Sequence, residues 1–227
     1  MTARLLSFNV PPYALSGAVV VALLNHRPQL LALGDAVNQA PYKAAPKAPV
    51  LAIKPRHTLA RDGDAVVVPT GYVGLEVGAT LGIVIQRTAC RVTPSRALDV
   101  VAGYILANDF SLPLSSHYRP SVRLKHRDGF CPLGSQVVAA AEVPSPDALA
   151  MRVELDGQCV WQGSTADRVR GVAQLIADVS EFMTLQPGDL LLLGASAGAP
   201  LALAGQRVSV SIQGLGTLSN TLVAQAA

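Results

Sequence analysis

The apolar positions of this chain fall in short runs separated by Pro, Gly, Asn and Asp, a spacing that predicts many brief strands and few helices. Val19 to Leu24, Val50 to Lys54, Ala65 to Val68, Gly103 to Asn108, Leu149 to Leu155, Gln158 to Gln162, Leu190 to Leu193, Val208 to Ile212 and Leu218 to Val223 each read as a strand. Asp156-Gly157 carries the signature of a two-residue hairpin turn. The helical period is clearest from Val169 to Met183, where apolar residues recur at three and four residues and Thr165 offers a cap. Shorter helices are predicted over Pro28 to Gln39 and, behind Thr93-Pro94, over Ser95 to Val101. Ala40 to Pro49 holds too many prolines for either element and reads as an extended connector. The pattern predicts an α+β domain over residues 50–227, with residues 1–49 as a small strand, helix and connector packed on it.

The segment VGLEVGATLGIVIQR, Val73 to Arg87, reads as a strand whose one pleat face carries Glu76, Gly78, Thr80 and Gly82. Close packing between sheets accounts for three small residues there. Glu76, ~7 Å along the strand from Gly78, reads as a solvated edge carboxylate.

Composition narrows the function classes. The chain has 227 residues, 50% of them hydrophobic and 15% charged, with a formal net charge of +3, which suits a globular chain and not a nucleic-acid groove. Small anionic ligands stay open. No apolar run reaches the ~20 residues of a membrane span. Cys90, Cys131 and Cys159 have no metal-type spacing and read as reduced thiols of a cytoplasmic protein.

Phosphate loops, nucleophile elbows, HExxH and paired CxxC motifs are absent. What stands out is polar residues in apolar surroundings: Asn108-Asp109 ending a buried strand, Tyr118-Arg119-Pro120 in a loop, and Lys125, Arg127 and Asp128 before GFCPLG. His26, His57, His117 and His126 share no spacing.

In order, the pieces VALLNHR at Val21, IKPR at Ile53, the segment from Val73, VAGYILANDFS at Val101, YRPSVRLKHRDGFCPLG at Tyr118, STADRV at Ser164 and SEFMTLQPGDLLLLG at Ser180 resemble the fumarylacetoacetate hydrolase superfamily. Within it, they are similar to the isomerases/decarboxylases of homoprotocatechuate (4-hydroxyphenylacetate) breakdown, which act on 5-oxopent-3-ene-1,2,5-tricarboxylate and 2-hydroxyhepta-2,4-diene-1,7-dioate. They resemble the N-terminal half, or separate first subunit, of such an enzyme. The resemblance implies a mixed β-sandwich roll and a divalent cation, Mg²⁺ or Mn²⁺, held by Glu-x-Glu on one strand and an Asp from another. Residues i and i+2 of a strand share a face, so two such carboxylates converge on one hard cation. That cation would bind a 2-oxo acid and stabilise its enolate.

Carried onto this sequence, the Glu-x-Glu positions are Gly78 and Thr80, which have no carboxylate, while Asp109 matches the third ligand and Glu76 is a possible substitute. Gln29 stands where the family's dyad histidine falls, and Leu193-Gly194-Ala195-Ser196 replaces Thr-Gly-Thr-Pro. Lys125 matches a lysine that faces the substrate, and is otherwise a surface lysine paired with Asp128. Asp109 is otherwise a turn or helix cap. Lys125 and Asp109 are the candidate catalytic residues. Arg119, Arg127 and Asn25 are the candidate substrate contacts, the arginines because a guanidinium fork suits dicarboxylates. Weak cation binding, or cation held only by a partner, is expected. The partner would be a homologous second subunit or a second copy. Two readings stay open, a working subunit with a degenerate metal site and a non-catalytic scaffold for a metal-bearing homologue. A third is metal-independent tautomerisation by Lys125 and Asp109.

Overall fold

The computed structural model describes residues 9–10, 13–14, 17–113 and 122–226. Along the chain the elements are β1 (Asn9–Val10), β2 (Tyr13–Ala14), β3 (Val19–Leu23), α1 (Arg27–Ala32), β4 (Val50–Lys54), β5 (Leu59–Arg61), β6 (Ala65–Val68), β7 (Gly74–Glu76), β8 (Ala79–Ile85) and β9 (Val101–Asn108). They continue with α2 (Val122–Lys125), β10 (Cys131–Leu133), β11 (Val138–Ala139), β12 (Ala150–Leu155), β13 (Gln158–Ser164), α3 (Val172–Ser180), β14 (Leu190–Leu192), β15 (Leu201–Leu203), β16 (Arg207–Ile212) and β17 (Gly216–Ala224).

Two mixed sheets make the α+β fold. The larger runs β4-β3-β14-β8-β9-β10-β5, with β11 beside β9; the smaller runs β13-β12-β16-β17-β6. β8 and β9, at the centre of the larger sheet, are buried on both faces along their whole lengths, which is why they read as near-continuous apolar runs. Alternation sorts their side chains into two clusters. Leu81, Ile83, Leu106 and Leu191 join the main core with α3 and the smaller sheet. Val84, Ile105, Ala107, Leu190 and Leu192 face the other way, into a second cluster that also takes in Val19 of β3 and Leu59 of β5. Strands from both ends of the sheet reach this second cluster because the sheet curls around it. Gly82 lines the curl, where a Cβ would stand 2.7 Å from Ile105 Cγ2 and 2.9 Å from Leu190 Cδ1, so the tight approach of neighbouring strands requires glycine there.

The hairpin at Asp156-Gly157 is as expected: β12 and β13 pair across it, and both turn residues have positive φ, 50° and 83°. Five expectations are corrected. The helix expected over Val169 to Met183 is shorter, Val172–Ser180, because Val169 N–H donates to Asn25 O at 2.9 Å and Phe182 turns out to solvent. Its cap is Asp147, whose Oδ1 accepts from Val172 N–H at 2.9 Å, while Thr165 Oγ1 instead donates to Pro146 O at 2.7 Å. Ser95 to Val101 forms a 3₁₀ helix over Pro94–Val100, and Pro28 to Gln39 divides into α1 and a 3₁₀ stretch over Gly34–Asn38. The strand expected from Val73 breaks between Glu76 and Ala79. Glu76 pairs with Leu201 of β15 and bridges to Ser111, so it does not continue the β8 pleat.

Among the described residues no helix is long and apolar enough to cross a membrane.

Candidate functional site

The curled sheet ends at Asp109, the residue after β9. Its backbone N–H donates to Gly78 O at 2.9 Å, which closes the last rung between β8 and β9. Its side chain is fully buried between two lysines. Lys54 Nζ, from the last residue of β4, pairs with Oδ1, and Lys125 Nζ, from α2, lies 2.8 Å from Oδ2. Lys54 also donates to the Lys125 carbonyl at 2.8 Å, so it fixes both the acid and the backbone carrying the second base. Side-chain exposure is 0% for Lys54 and Asp109 and 5% for Lys125, which makes this a desolvated three-charge cluster. Burial pushes the Asp109 carboxyl up, but the two ammoniums outweigh it and hold the group below the ordinary carboxylate range. The same positive field, after burial itself, lowers His126, both of whose ring nitrogens are buried without a hydrogen-bond partner among the described residues. Cys131, also beside the cluster, is pushed up to about 12 by burial.

Beside the cluster opens a cavity of about 370 Å³, within the range of small-molecule sites. Gly78, Asp109, Lys125 and Glu76 form one wall, Ser196 stands on another, and Gln29 of α1 closes a side. Glu76 therefore reaches the cavity despite the strand break, and it is itself partnered.

The Ser196 wall is held by a clip between distant segments. Asn25 Nδ2 donates to Leu193 O at 2.9 Å and to Arg170 O at 3.0 Å, and its Oδ1 accepts from Arg170 N–H at 2.9 Å. His26 Nδ1 accepts from Ala197 N–H at 2.9 Å, and burial, then the charge of Arg168, hold the ring below its ordinary value. Arg168 is buried, with no carboxylate in ion-pair range among the described residues; Asp167 and Asp147 act on it only from a distance. Its Nη2 donates to Ser196 Oγ at 3.2 Å and its Nη1 to Ala195 O at 3.5 Å, and burial lowers it to about 10.

The structure thus brings Lys125, Asp109, Glu76 and Gly78 together. Lys125 pairs with Asp109 and not with Asp128, which is almost wholly exposed. Asn25 is close by but spends its amide on backbone groups, and Arg127, whose Nε donates to Arg123 O at 3.1 Å, is off the cavity wall. Arg119 lies outside the described residues. Lys54, Arg168 and Ser196 were missed as site residues; Lys54 and Arg168 stand in the family-like pieces IKPR and STADRV, read as scaffold, and Ser196 in the Leu193-Gly194-Ala195-Ser196 segment, read as a loss of Thr-Gly-Thr-Pro.

The described residues of the site do not fit a divalent cation. Such an ion needs a dense shell of oxygens. A side chain at Gly78 would collide with the Asp109 carbonyl, and Thr80 Oγ1 accepts from Gly194 N–H at 3.0 Å. The Asp109 oxygens already face two ammoniums, and no group of three or more His, Cys, Asp or Glu converges among the described residues.

Comparison with known proteins bears on this geometry. The 4-hydroxyphenylacetate degradation bifunctional isomerase/decarboxylase of Salmonella dublin is 42% identical over 211 residues, 93% of this chain but 48% of that protein. The chain spans about half the length of the curated relatives it matches in this way. The structure of 2-hydroxyhepta-2,4-diene-1,7-dioate isomerase from Mycobacterium marinum is similar over 94% of this chain and 77% of that one, with a TM-score of 0.75 and 27% identity. Fumarylpyruvate hydrolase from Pseudomonas aeruginosa, solved with Mn²⁺ and pyruvate, shares the fold at a TM-score of 0.77 and 21% identity, over 92% of this chain and 90% of that one. Residues 18–223 match the fumarylacetoacetate (FAA) hydrolase C-terminal family, and the chain belongs to it.

Proposed function

We propose that this chain is one half of an isomerase/decarboxylase of homoprotocatechuate breakdown, handling 5-oxopent-3-ene-1,2,5-tricarboxylate or 2-hydroxyhepta-2,4-diene-1,7-dioate beside a homologous half that carries the divalent cation. The observation that carries the reading is the cavity itself. It keeps a buried Lys-Asp-Lys cluster where family relatives would place a metal, yet its donor set does not fit one. That the chain spans about half of its bifunctional relatives supports a second half elsewhere. Homologous halves associate through a pseudo-twofold axis as two copies of one chain do.

In this assignment the cation, on the partner, supplies the charge that stabilises the enolate. The part of this chain is to hold an anionic end of the substrate at Lys125 Nζ, with Asp109 and Lys54 fixing that ammonium, and to keep the cavity closed through α1. Light scattering and decarboxylation assays on the chain, on a homologous half retaining Glu-x-Glu, and on the two mixed test it. The mixture is expected to form a complex several times more active than the metal-bearing half, and Lys125→Met to remove most of the gain. A mixture with neither complex nor gain refutes the pairing. A complex whose gain survives Lys125→Met makes this chain a scaffold.

A further inference from the structure

The cavity has two positive poles, and neither depends on a metal. One is Lys125, 4% exposed and lining the cavity, with Lys54 behind it. Asp109 neutralises only one of these two ammoniums, so the cluster keeps a charge of +1 in a nearly water-free position, a state that is costly unless an anion answers it.

The second pole is Ser196. Its Oγ accepts from the buried Arg168 guanidinium, which leaves the hydroxyl proton to donate into the cavity that Ser196 lines. A hydroxyl that accepts from a cation is a stronger donor, because hydrogen bonds in series polarise one another. Arg168 Nε is buried with no partner among the described residues, so the charge of this side chain is matched neither by an ion pair nor by a full set of acceptors. Among the described residues that line the cavity or touch its lining, Lys54, Lys125 and Arg168 stand against the carboxylates of Asp109 and Glu76, three positive groups to two negative.

We propose that this cavity takes a small dicarboxylate without a divalent cation, one carboxylate at the Lys125 ammonium backed by Lys54 and the other at the Ser196 hydroxyl backed by Arg168. The assignment rests on reading the cavity as the substrate site, and it names the chemical class that the site accepts. Lys54 is a positioning residue in it: its ammonium pairs with Asp109 and donates to the Lys125 carbonyl, so it fixes both the acid and the backbone that hold the Lys125 ammonium. Glu76, on the same wall, opposes the ligand and selects against a carboxylate placed near it.

Calorimetric titration of 2-oxoglutarate into the EDTA-treated chain tests this, with pyruvate as the single-carboxylate control. 2-Oxoglutarate is expected to bind, pyruvate about tenfold more weakly or worse, and added MnCl₂ to change the 2-oxoglutarate Kd less than about twofold. Lys125→Met and Ser196→Ala are each expected to weaken 2-oxoglutarate about tenfold, the scale of a lost hydrogen bond to a charged group. Glu76→Gln is expected to tighten it. Arg168→Met should match Ser196→Ala; should it fail to fold by circular dichroism, Ser196→Ala decides, since it removes only a hydroxyl. Binding that requires Mn²⁺, no binding by the folded wild-type chain, or unchanged affinity in Ser196→Ala overturns the inference. Metal-free binding by a chain that gives neither complex nor gain when mixed with its homologue refutes the pairing proposed above and leaves this assignment standing. A gain in the mixture without metal-free binding does the reverse.

Discussion

The two walls of the cavity handle buried charge in opposite ways. On the Asp109 wall, opposite charges meet side by side: one carboxylate lies between two ammoniums, and Lys54 binds a backbone carbonyl as well. On the Ser196 wall a guanidinium of similar burial has, among the described residues, only the Ser196 hydroxyl, the Ala195 carbonyl and the Met151 thioether as hydrogen-bond acceptors. The difference teaches which wall is held together by its charges and which merely tolerates one. Breaking a tight buried pair strands the surviving partner, whereas replacing an unpaired buried cation with an apolar side chain removes a desolvation cost along with a few contacts.

The largest effect is therefore expected on the first wall. Asp109→Ala leaves two buried ammoniums facing each other and should destabilise the chain by about 3–5 kcal/mol, read as a lower urea midpoint with an unchanged slope. A loss under about 1 kcal/mol would mean that the cluster is solvated in solution and that the comparison is wrong.

Arg168→Met probes the other wall and should move stability by less than about 1 kcal/mol in either direction, since the thioether fills much of the same volume without the charge. The same urea titration reads it. A loss as large as that of Asp109→Ala would make Arg168 a structural keystone, and the two walls would no longer differ in kind.

Much of the fold and little of this contrast could be read in the sequence, and β4 shows why. The strand Val50–Lys54 was placed at its observed bounds, because an apolar run closed by Lys-Pro is a local signal. Which face is buried was not local. Ile53 is 60% exposed while Lys54 is 3% exposed, the reverse of what side-chain polarity suggests, because the carboxylate that makes a buried lysine tolerable comes from the end of β9. The β12–β13 turn needed only two adjacent residues and was legible. Glu76 was placed on the β8 pleat because nothing in GLEVGA announces the break that sends Glu76 to pair with β15. Arg168 was hidden differently. A helix was expected from Val169 onward, and the backbone bonds that take residues 167–170 to Asn25 and Arg27 instead join segments more than a hundred residues apart. Charge clusters assembled from strand ends are invisible to periodicity for the same reason, since each member sits in a segment whose pattern is complete without it.

The smallest expected effect separates the walls by pH. Burial, and after it the charge of Arg168, lower His26, with Asp167 pulling the other way, so the folded chain keeps the ring neutral. That fits its geometry: Nδ1 accepts from Ala197 N–H, and a protonated ring would set a donor against a donor. A group whose folded pKa is depressed contributes stability that is present above its unfolded value, 6.5 here, and is lost as pH falls from there through the folded value. His126 is lowered too, by burial and then the charge of Lys54, and adds a loss of the same sign on the first wall. Asp109, also depressed, acts only at lower pH, from the ordinary carboxylate range downward. The melting temperature should therefore fall between about pH 7 and pH 5, and His26→Asn should make that fall shallower without abolishing it, because the Asn carbonyl accepts the same N–H and suits the position before α1 but does not titrate. Histidine nitrogen chemical shifts give the direct reading, with the His26 ring expected to titrate below 6.5 in the folded chain. An ordinary midpoint, or an unchanged slope in His26→Asn, would show that neither burial nor the charge of Arg168 governs the His26 ring, and the pH contrast between the walls would fail.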